Sequence, residues 1–178
     1  MKISILLPYK ENFSPIYPGA VSLFVKDTTN LSKYKKNIIV YGNTNYKKIF
    51  PIRYFNINLS SFKFQSKSKQ YVEKFINIEK NKPSDIIEVH NRPNYLSSII
   101  KSLGKKNLVL YFHNDPLTMT GSKSINERKY LLKNCYKIIF NSNWSKKRFL
   151  EGMENKFINS DKLTVFHQSA QRGSINLI

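Results

Sequence analysis

The stretch PSDIIEVHNRPNYLSSIIKSLGKKNLVLYFHNDP, residues 83–116, decides the fold. Its first apolar run, Asp85–His90, has the length and β-branched content of a buried strand. Pro93 then opens a segment whose apolar residues recur at helical spacing, and Gly104 ends it. The run Asn107–Phe112 that follows is almost continuously apolar, as in strands covered on both faces of a parallel sheet. A strand, a helix and a strand in this order predict a βαβ unit with parallel strands.

The same alternation continues on both sides of this unit. The further predicted strands are Lys2–Leu7, Asn37–Tyr41, Ile52–Ile57, Tyr136–Phe140 and Lys162–Phe166. One further predicted helix starts at Gly19. The other three span Ser66 to Asn81, the capping box Ser124–Glu127 to Asn134, and Trp144 to about Met153. Together they predict a Rossmann-like α/β domain over residues 1–168, a parallel sheet with helices on both faces. Residues 169–178 carry no strong pattern and are predicted to be a linker or the start of a further domain.

Length and composition exclude several classes of protein. The 178 residues suit one domain, which can bury about 70% of its unfolded surface. Hydrophobic residues make up 40% of the chain and aromatic residues 13%, too much for a disordered protein. Cys135 is the only cysteine, which excludes a disulfide scaffold and a cysteine zinc site. Because the first apolar run is broken at Pro8, it is too short for a secretory signal, and we expect a cytoplasmic protein.

The chain is strongly basic, with 30 Lys and Arg against 11 Asp and Glu, a formal charge of +19. Such a charge is typical of proteins that bind nucleic acids or anionic membranes. The lysines are spread along the whole chain among abundant Asn, Ile and Tyr, and no nucleic-acid-binding motif accompanies them. We therefore expect a compositional bias and no nucleic-acid partner. The predicted helix Ser66–Asn81 carries lysines on its outer side and is the candidate for contact with an anionic membrane surface; they are Lys67, Lys69, Lys74 and Lys80.

Polar side chains collect where the predicted strands end, the edge at which parallel sheets bind ligands. The candidate site residues are Gly19, His90, Asn91, Arg92, His113, Asn114, Asp115 and Ser142. Two histidines at the ends of neighbouring strands favour a site over two separate structural histidines. We expect His113 and Asp115 to be catalytic and the other six residues to bind substrate.

Two of these candidates, Asp115 and Arg92, also have a structural alternative. Asp115 could orient His113 or accept a proton, but Asp before Pro also starts ordinary turns. Arg92 could clamp an anion with its planar guanidinium, or it could lie in solvent at a helix start. Gly19 opens a helix whose N-terminus could meet a phosphate.

The signatures of several enzyme classes are missing. There is no Gly-x-Gly-x-x-Gly after the first strand and no P-loop, so a dinucleotide oxidoreductase or a P-loop ATPase is not expected. His-Glu-x-x-His and Gly-x-Ser-x-Gly are absent as well, which leaves the common hydrolases without their metal site or nucleophile. No metal cluster is visible in the sequence, and we expect no cofactor.

The order of segments resembles the N-terminal half of GT-B glycosyltransferases of family 4. The resemblance covers nearly the whole chain. Each motif alone is loose, and the specificity lies in their order and spacing along the sequence. The segments that carry it are Lys2–Pro8, Pro18–Ala20, Pro83–Pro93, Tyr111–Pro116, Cys135–Ser142 and Lys162–Gln168.

This resemblance implies a retaining transfer of a sugar from a nucleotide-sugar to an acceptor, without an obligatory metal. In the family the N-terminal domain holds a glycan or lipid-linked acceptor and the C-terminal domain holds the donor. Gly19 matches a glycine loop near the donor phosphates, although Pro18 replaces the usual second glycine. His113 matches a histidine that lines the catalytic cleft, and His90 and Arg92 match a position that faces the acceptor. The chain is thus expected to be a single half of a GT-B fold, monomeric and inactive alone.

Two other functions stay open at this point. A stand-alone Rossmann-like domain that binds a small molecule would account for the same fold. A module that binds a polyanion or a membrane surface would account for the charge without any catalysis. The sequence leaves the sugar, the acceptor and the pathway undetermined.

Overall fold

A computed structural model describes residues 1–60, 65–104, 107–158 and 160–167. The strands are β1 (Ile3–Leu6), β2 (Ile38–Gly42), β3 (Tyr54–Asn56), β4 (Ile86–His90), β5 (Asn107–Phe112), β6 (Lys137–Phe140) and β7 (Leu163–Val165). The helices are α1 (Ala20–Leu31), α2 (Lys67–Asn81), α3 (Tyr95–Leu103), α4 (Ile125–Asn134), α5 (Asn143–Leu150) and α6 (Asn155–Ile158). The predicted linker at residues 169–178 lies outside the described residues.

The strands form one parallel sheet in the order β3-β2-β1-β4-β5-β6-β7. Leu6 of β1 pairs with Tyr41 of β2 on one side and with Val89 of β4 on the other. The chain therefore builds outward from β1 in one direction and then returns to build in the other. Such a reversal leaves a crevice beyond the carboxyl ends of the two central strands, where α/β sheets bind their ligands.

Helices cover both faces of the sheet, as predicted. On one face Val21 and Val25 of α1 pack against Ile5 and Leu7, next to β2. The opposite face is covered by α2 to α5, and its larger core includes residues such as Phe75, Leu96, Leu131 and Phe149. Right-handed crossovers explain this division, since strands added in opposite directions place their helices on opposite faces. The predicted Rossmann-like α/β architecture is confirmed.

The elements differ from the prediction mainly at their ends. β3 is three residues long because Ile52, just after Pro51, donates its N–H to the Phe50 carbonyl in a turn and does not pair in the sheet. Helix α5 ends at Leu150, before Gly152 adopts a φ of +72°. The sequence pattern also missed α6 and two single turns of 3-10 helix at Lys35–Asn37 and Pro116–Thr118.

The end of α5 is fixed by a buried cation from another helix. Arg128 of α4 is 3% exposed, and its Nη1 donates to the carbonyls of Phe149 at 2.5 Å and Glu151 at 2.8 Å. A guanidinium satisfies the carbonyls that a helix C-terminus leaves unpaired and complements the negative end of its dipole. This contact joins the two helices that follow β5 and β6.

Cys135 is buried at the end of α4, and burial raises the pKa of its thiol to about 12. The thiol therefore stays protonated near neutral pH and has no nucleophilic role. Within the described part of the chain, no helix is both long and apolar enough to cross a membrane.

Candidate functional site

The ends of β4, β5 and β6 are joined by a network of asparagine side chains. Asn91 Oδ1 accepts a hydrogen bond from the backbone N–H of His113 at 2.7 Å, and its Nδ2 donates to Asn114 Oδ1 at 3.2 Å. Asn141 Nδ2 donates to the carbonyl of His113 at 2.6 Å. Asn91 has a φ of +50°, a left-handed conformation that asparagine tolerates better than most residues. Both backbone groups of His113 are therefore held in place by neighbouring loops.

Two of the predicted site histidines are in direct contact. His90 Nδ1 lies 2.7 Å from His113 Nε2, and His90 Nε2 lies 2.5 Å from Glu88 Oε1. His90 is completely buried, His113 is half-buried, and the Glu88 side chain is 25% exposed. The three side chains form a continuous chain of hydrogen bonds from the face of the sheet to its carboxyl edge.

Aromatic rings pack against the Glu88, His90 and His113 side chains on the face of the sheet that α1 covers. The Tyr111 ring stacks on His90 at 5.4 Å and on His113 at 4.5 Å between ring centroids. Phe24 of α1 meets the His113 ring edge-on at 5.0 Å. Burial and the nearby Glu88 charge raise the pKa of Tyr111, whose hydroxyl donates to the Phe166 carbonyl at 3.0 Å. The ring of His113 therefore has little freedom to turn.

The chemistry of Glu88 determines which nitrogens of the two histidines carry protons. An ionised carboxylate only accepts hydrogen bonds, so His90 must carry its proton on Nε2. In a neutral His90 the other nitrogen, Nδ1, is then an acceptor, and His113 must donate to it from Nε2.

This arrangement predicts the effect of two substitutions at Glu88. Glu88→Ala leaves the N–H of a fully buried imidazole without its acceptor, and we expect the free energy of unfolding to fall by about 1–3 kcal/mol. Glu88→Gln keeps an acceptor oxygen at the same position and should retain most of that stability. Urea unfolding followed by circular dichroism measures both variants. Equal stability of wild type and Glu88→Ala would contradict the assignment.

The N-terminus of α1, predicted to meet a phosphate at Gly19, is occupied by the chain's own carboxylate. Glu11 Oε1 accepts a hydrogen bond from the backbone N–H of Ser22 at 3.0 Å. A Cβ at Gly19 would lie 1.8 Å from that oxygen, so the glycine makes room for Glu11. A phosphate at this N-terminus would have to displace the carboxylate, because two anions repel. The contact of Gly19 with the donor stays a prediction.

Three more predicted site residues have structural partners at the same edge. Asp115 caps the 3-10 turn through the N–H of Leu117 at 3.0 Å and pairs with Arg148 at 3.2 Å. Arg92 Nη1 donates to the carbonyl of Asn91 at 2.8 Å. Ser142 caps α5, where its hydroxyl accepts from the N–H of Ser145 at 3.1 Å. The structural alternative weighed for Asp115, a turn start, is thus present in the molecule, and its role toward substrate stays a prediction.

Glu88 and Tyr111 were missed by sequence reasoning, although one signal was available. Glu88 and His90 are two positions apart in a strand, and alternate residues of a strand lie on the same face. Tyr111 lies opposite His90 only because of the β4–β5 register, which the sequence does not specify. Among the described residues there is no group of three His, Cys, Asp or Glu side chains that could hold a metal ion.

No family model and no curated protein matches this chain. Solved structures do match it. Anabaena HepE in complex with UDP and glucose is 18% identical to this chain, with a TM-score of 0.59. The alignment covers 96% of this chain and 45% of HepE. A glycosyltransferase from Rickettsia africae has 19% identity and a TM-score of 0.56, with 94% covering 43%. A UDP-N-acetylglucosamine 2-epimerase from Rickettsia bellii has 15% identity and a TM-score of 0.53, with 93% covering 44%.

These similarities bear on the fold and not on the reaction. The identities are low, and a transferase and an epimerase share the architecture. The chain spans less than half the length of these three neighbours. With seven parallel strands among its described residues and helices on both faces of the sheet, it has the Rossmann-like α/β fold that forms one half of a GT-B protein.

Proposed function

We propose that this chain is the acceptor-side, N-terminal half of a family 4 glycosyltransferase. The complete enzyme would transfer a sugar, with retention of configuration, from a nucleotide-sugar to a glycan or lipid-linked acceptor. The observation that carries the proposal is the Glu88–His90–His113 chain, which ends at the carboxyl edge of a GT-B half. Structures of HepE with UDP and with UDP-glucose support a nucleotide-sugar as the donor.

In this proposal His113 serves the reacting sugar. Its backbone and ring are already fixed by Asn91, Asn141 and His90, so little reorganisation is needed when charge develops in the transition state. A donor held by a second α/β domain would face this edge across a cleft. Asn114, which is exposed beside His113, and Arg92 would contact substrate from the same edge.

The direct experiment is a transfer assay on the complete product of the gene. Incubation with UDP-, GDP- and dTDP-linked radiolabelled sugars and a membrane or glycan acceptor fraction should label the acceptor, whereas the 178-residue chain should label none. Hydrolysis or epimerisation of the nucleotide-sugar without transfer would contradict this proposal and would show that the enzyme catalyses a related reaction on the same fold. Tight binding of a nucleotide-sugar by the 178-residue chain would favour the stand-alone small-molecule binder.

A cytoplasmic enzyme that uses a lipid-linked acceptor would work at the inner membrane surface, and α2 is the proposed contact. Two of its lysines are engaged, since Lys67 donates to the Ser60 carbonyl and Lys74 to the Asn58 carbonyl. Lys69 and Lys80 are exposed and would make the contact. Polysaccharide assembly is the pathway that such an acceptor would suit, and we propose a monomer.

Co-sedimentation with vesicles that contain anionic lipid tests this contact. Replacement of Lys69 and Lys80 by Gln should weaken binding roughly 30-fold, because each lysine contributes about 1 kcal/mol near an anionic surface. Lys133→Gln, at an exposed position at the end of α4, is the matched control and should lose far less. Binding that ignores the anionic lipid content would exclude the membrane role.

A further inference from the structure

A second site lies beside the histidine chain, in a polar cavity of about 710 Å³. It opens at the carboxyl ends of β1, β2 and β3, and three loops and the first residue of α2 line it. Its volume falls within the roughly 300–1,000 Å³ typical of small-molecule sites. Because β1 and β4 are neighbours in the sheet, the cavity lies next to the edge at which His90 and His113 are found.

The lining of this cavity is dominated by carboxamides, which are Asn12, Asn43, Asn45, Asn56 and Asn58. Each carboxamide offers two N–H donors and an oxygen acceptor, so it can bind both the hydrogen and the oxygen of a hydroxyl group. A ligand rich in neighbouring hydroxyl groups matches such a surface. The lining therefore has the chemistry of a saccharide site.

Internal hydrogen bonds fix the orientation of three of these amides, Asn43, Asn56 and Asn58, before any ligand arrives. Asn56 Oδ1 accepts from the backbone N–H of Thr44 at 2.9 Å, and Asn56 Nδ2 donates to Asn58 Oδ1 at 2.8 Å. Asn43 Nδ2 donates to the carbonyl of Ile57 at 2.9 Å. A carboxamide has four hydrogen-bonding positions, so Asn43 and Asn58 keep positions for a ligand. Asn56, whose Oδ1 also accepts from the Tyr54 hydroxyl at 3.0 Å, keeps at most one N–H. A preorganised polar surface loses less entropy when it binds a ligand.

The charge of the cavity narrows the class of saccharide. Lys10 and Lys67 lie on its wall, and the described lining residues include no Asp or Glu. The Lys67 ammonium donates to the Ser60 carbonyl, but it carries three N–H groups. Lys10 has a φ of +69°, a strained backbone for a lysine, and such strain is concentrated at functional sites. Two cations without a carboxylate favour a ligand with negative charge.

We propose that this cavity binds an anionic sugar unit of the acceptor, one that carries a carboxylate or a phosphate. The inference rests on the proposed function, in which this half of the enzyme holds the acceptor. The amides bind the sugar hydroxyls and the two lysines bind the acidic group. Placed there, the sugar would lie at the same carboxyl edge as His113, with β4 between the cavity and β5.

The test is a titration of the ¹⁵N-labelled 178-residue chain, followed by NMR, with glucose, glucuronic acid, glucose 1-phosphate and inorganic phosphate. Shifts should concentrate on the five asparagines, and at least one anionic sugar should bind about tenfold more tightly than glucose, the gain when a hydrogen bond becomes charge-assisted. A preference for glucuronic acid identifies a carboxylate ligand, and one for glucose 1-phosphate a phosphate ligand.

Two variants separate charge recognition from general attraction to a basic protein. Lys10→Gln with Lys67→Gln should abolish the preference for the anionic sugar, whereas Lys133→Gln should keep it. The inference is overturned if glucose binds equally well, if the shifts lie elsewhere, or if inorganic phosphate matches glucose 1-phosphate and glucuronic acid gains nothing. Binding in the cavity by a protein whose complete form transfers no sugar would refute the proposed function and leave this site standing.

Discussion

In the proposed transferase, His113→Ala should lower kcat by roughly 30- to 1,000-fold, equivalent to about 2–4 kcal/mol of transition-state stabilisation. The size of the effect follows from preorganisation. The His113 ring is fixed by His90 and Tyr111, and its backbone by Asn91 and Asn141. A hydrogen-bonding group held this firmly needs no reorganisation as charge develops on the leaving phosphate or the sugar.

The matched control for this prediction is His167→Ala. His167 also follows a strand of the sheet, but it is exposed beyond β7. Its removal should leave kcat within a factor of about two, as expected of a surface substitution. Urea unfolding of both variants shows whether the lost ring contacts of His113 affect stability. Near-normal turnover of a folded His113→Ala enzyme would exclude His113 from the reaction.

The largest loss of stability is expected from Gly121→Ala, in the loop between β5 and α4. Gly121 has a φ of +95°, and a Cβ there would lie 2.6 Å from the Asn94 nitrogen and 2.9 Å from the Pro93 carbonyl carbon. Both neighbours are backbone at the start of α3, so neither can move away cheaply. Backbone strain and overpacking together should lower the free energy of unfolding by about 2–5 kcal/mol.

Gly104→Ala separates the two causes of that loss. Gly104 has a φ of +72°, and among the described residues, apart from its own chain neighbours, no atom lies within 4 Å of where its Cβ would stand. Only the backbone conformation, with φ +72° and ψ −165°, then opposes the substitution; this region is essentially restricted to glycine, and we expect a loss of about 1–3 kcal/mol. Urea unfolding of the two variants gives the difference. Equal losses at both positions would show that the contact between the Gly121 loop and α3 adds nothing to stability.

The strands could be predicted because local pattern and tertiary burial agree in them. Asn107–Phe112 is apolar along almost its whole length, and it forms β5 with the predicted bounds. The end of α5 could not be predicted, since it depends on Arg128, which lies on another helix. The shortness of β3 has a local origin instead, because a turn at Phe50 competes with the sheet for the backbone of Ile52. Neither the long-range contact of Arg128 nor this local turn leaves a periodic signal.

The candidate site, like the fold, could be predicted from the sequence only in part. Position at the strand ends predicted that His90 and His113 would be neighbours, and they lie within hydrogen-bond distance. The Glu88–His90 contact had a local signal, because alternate residues of a strand lie on the same face. The stacking of Tyr111 on His90 and the contact of Glu11 with the N-terminus of α1 left no such signal, because each depends on how separate segments meet.

Calorimetric titration of the 178-residue chain with UDP-, GDP- and dTDP-sugars tests whether this chain is half of a sugar-transfer site, as we propose. The second half would supply most donor contacts and the orientation that can lower the barrier by ~7–11 kcal/mol. We therefore expect binding no tighter than about millimolar, near −4 kcal/mol. Micromolar affinity for any of these nucleotide-sugars would place the donor site in this domain and contradict the account.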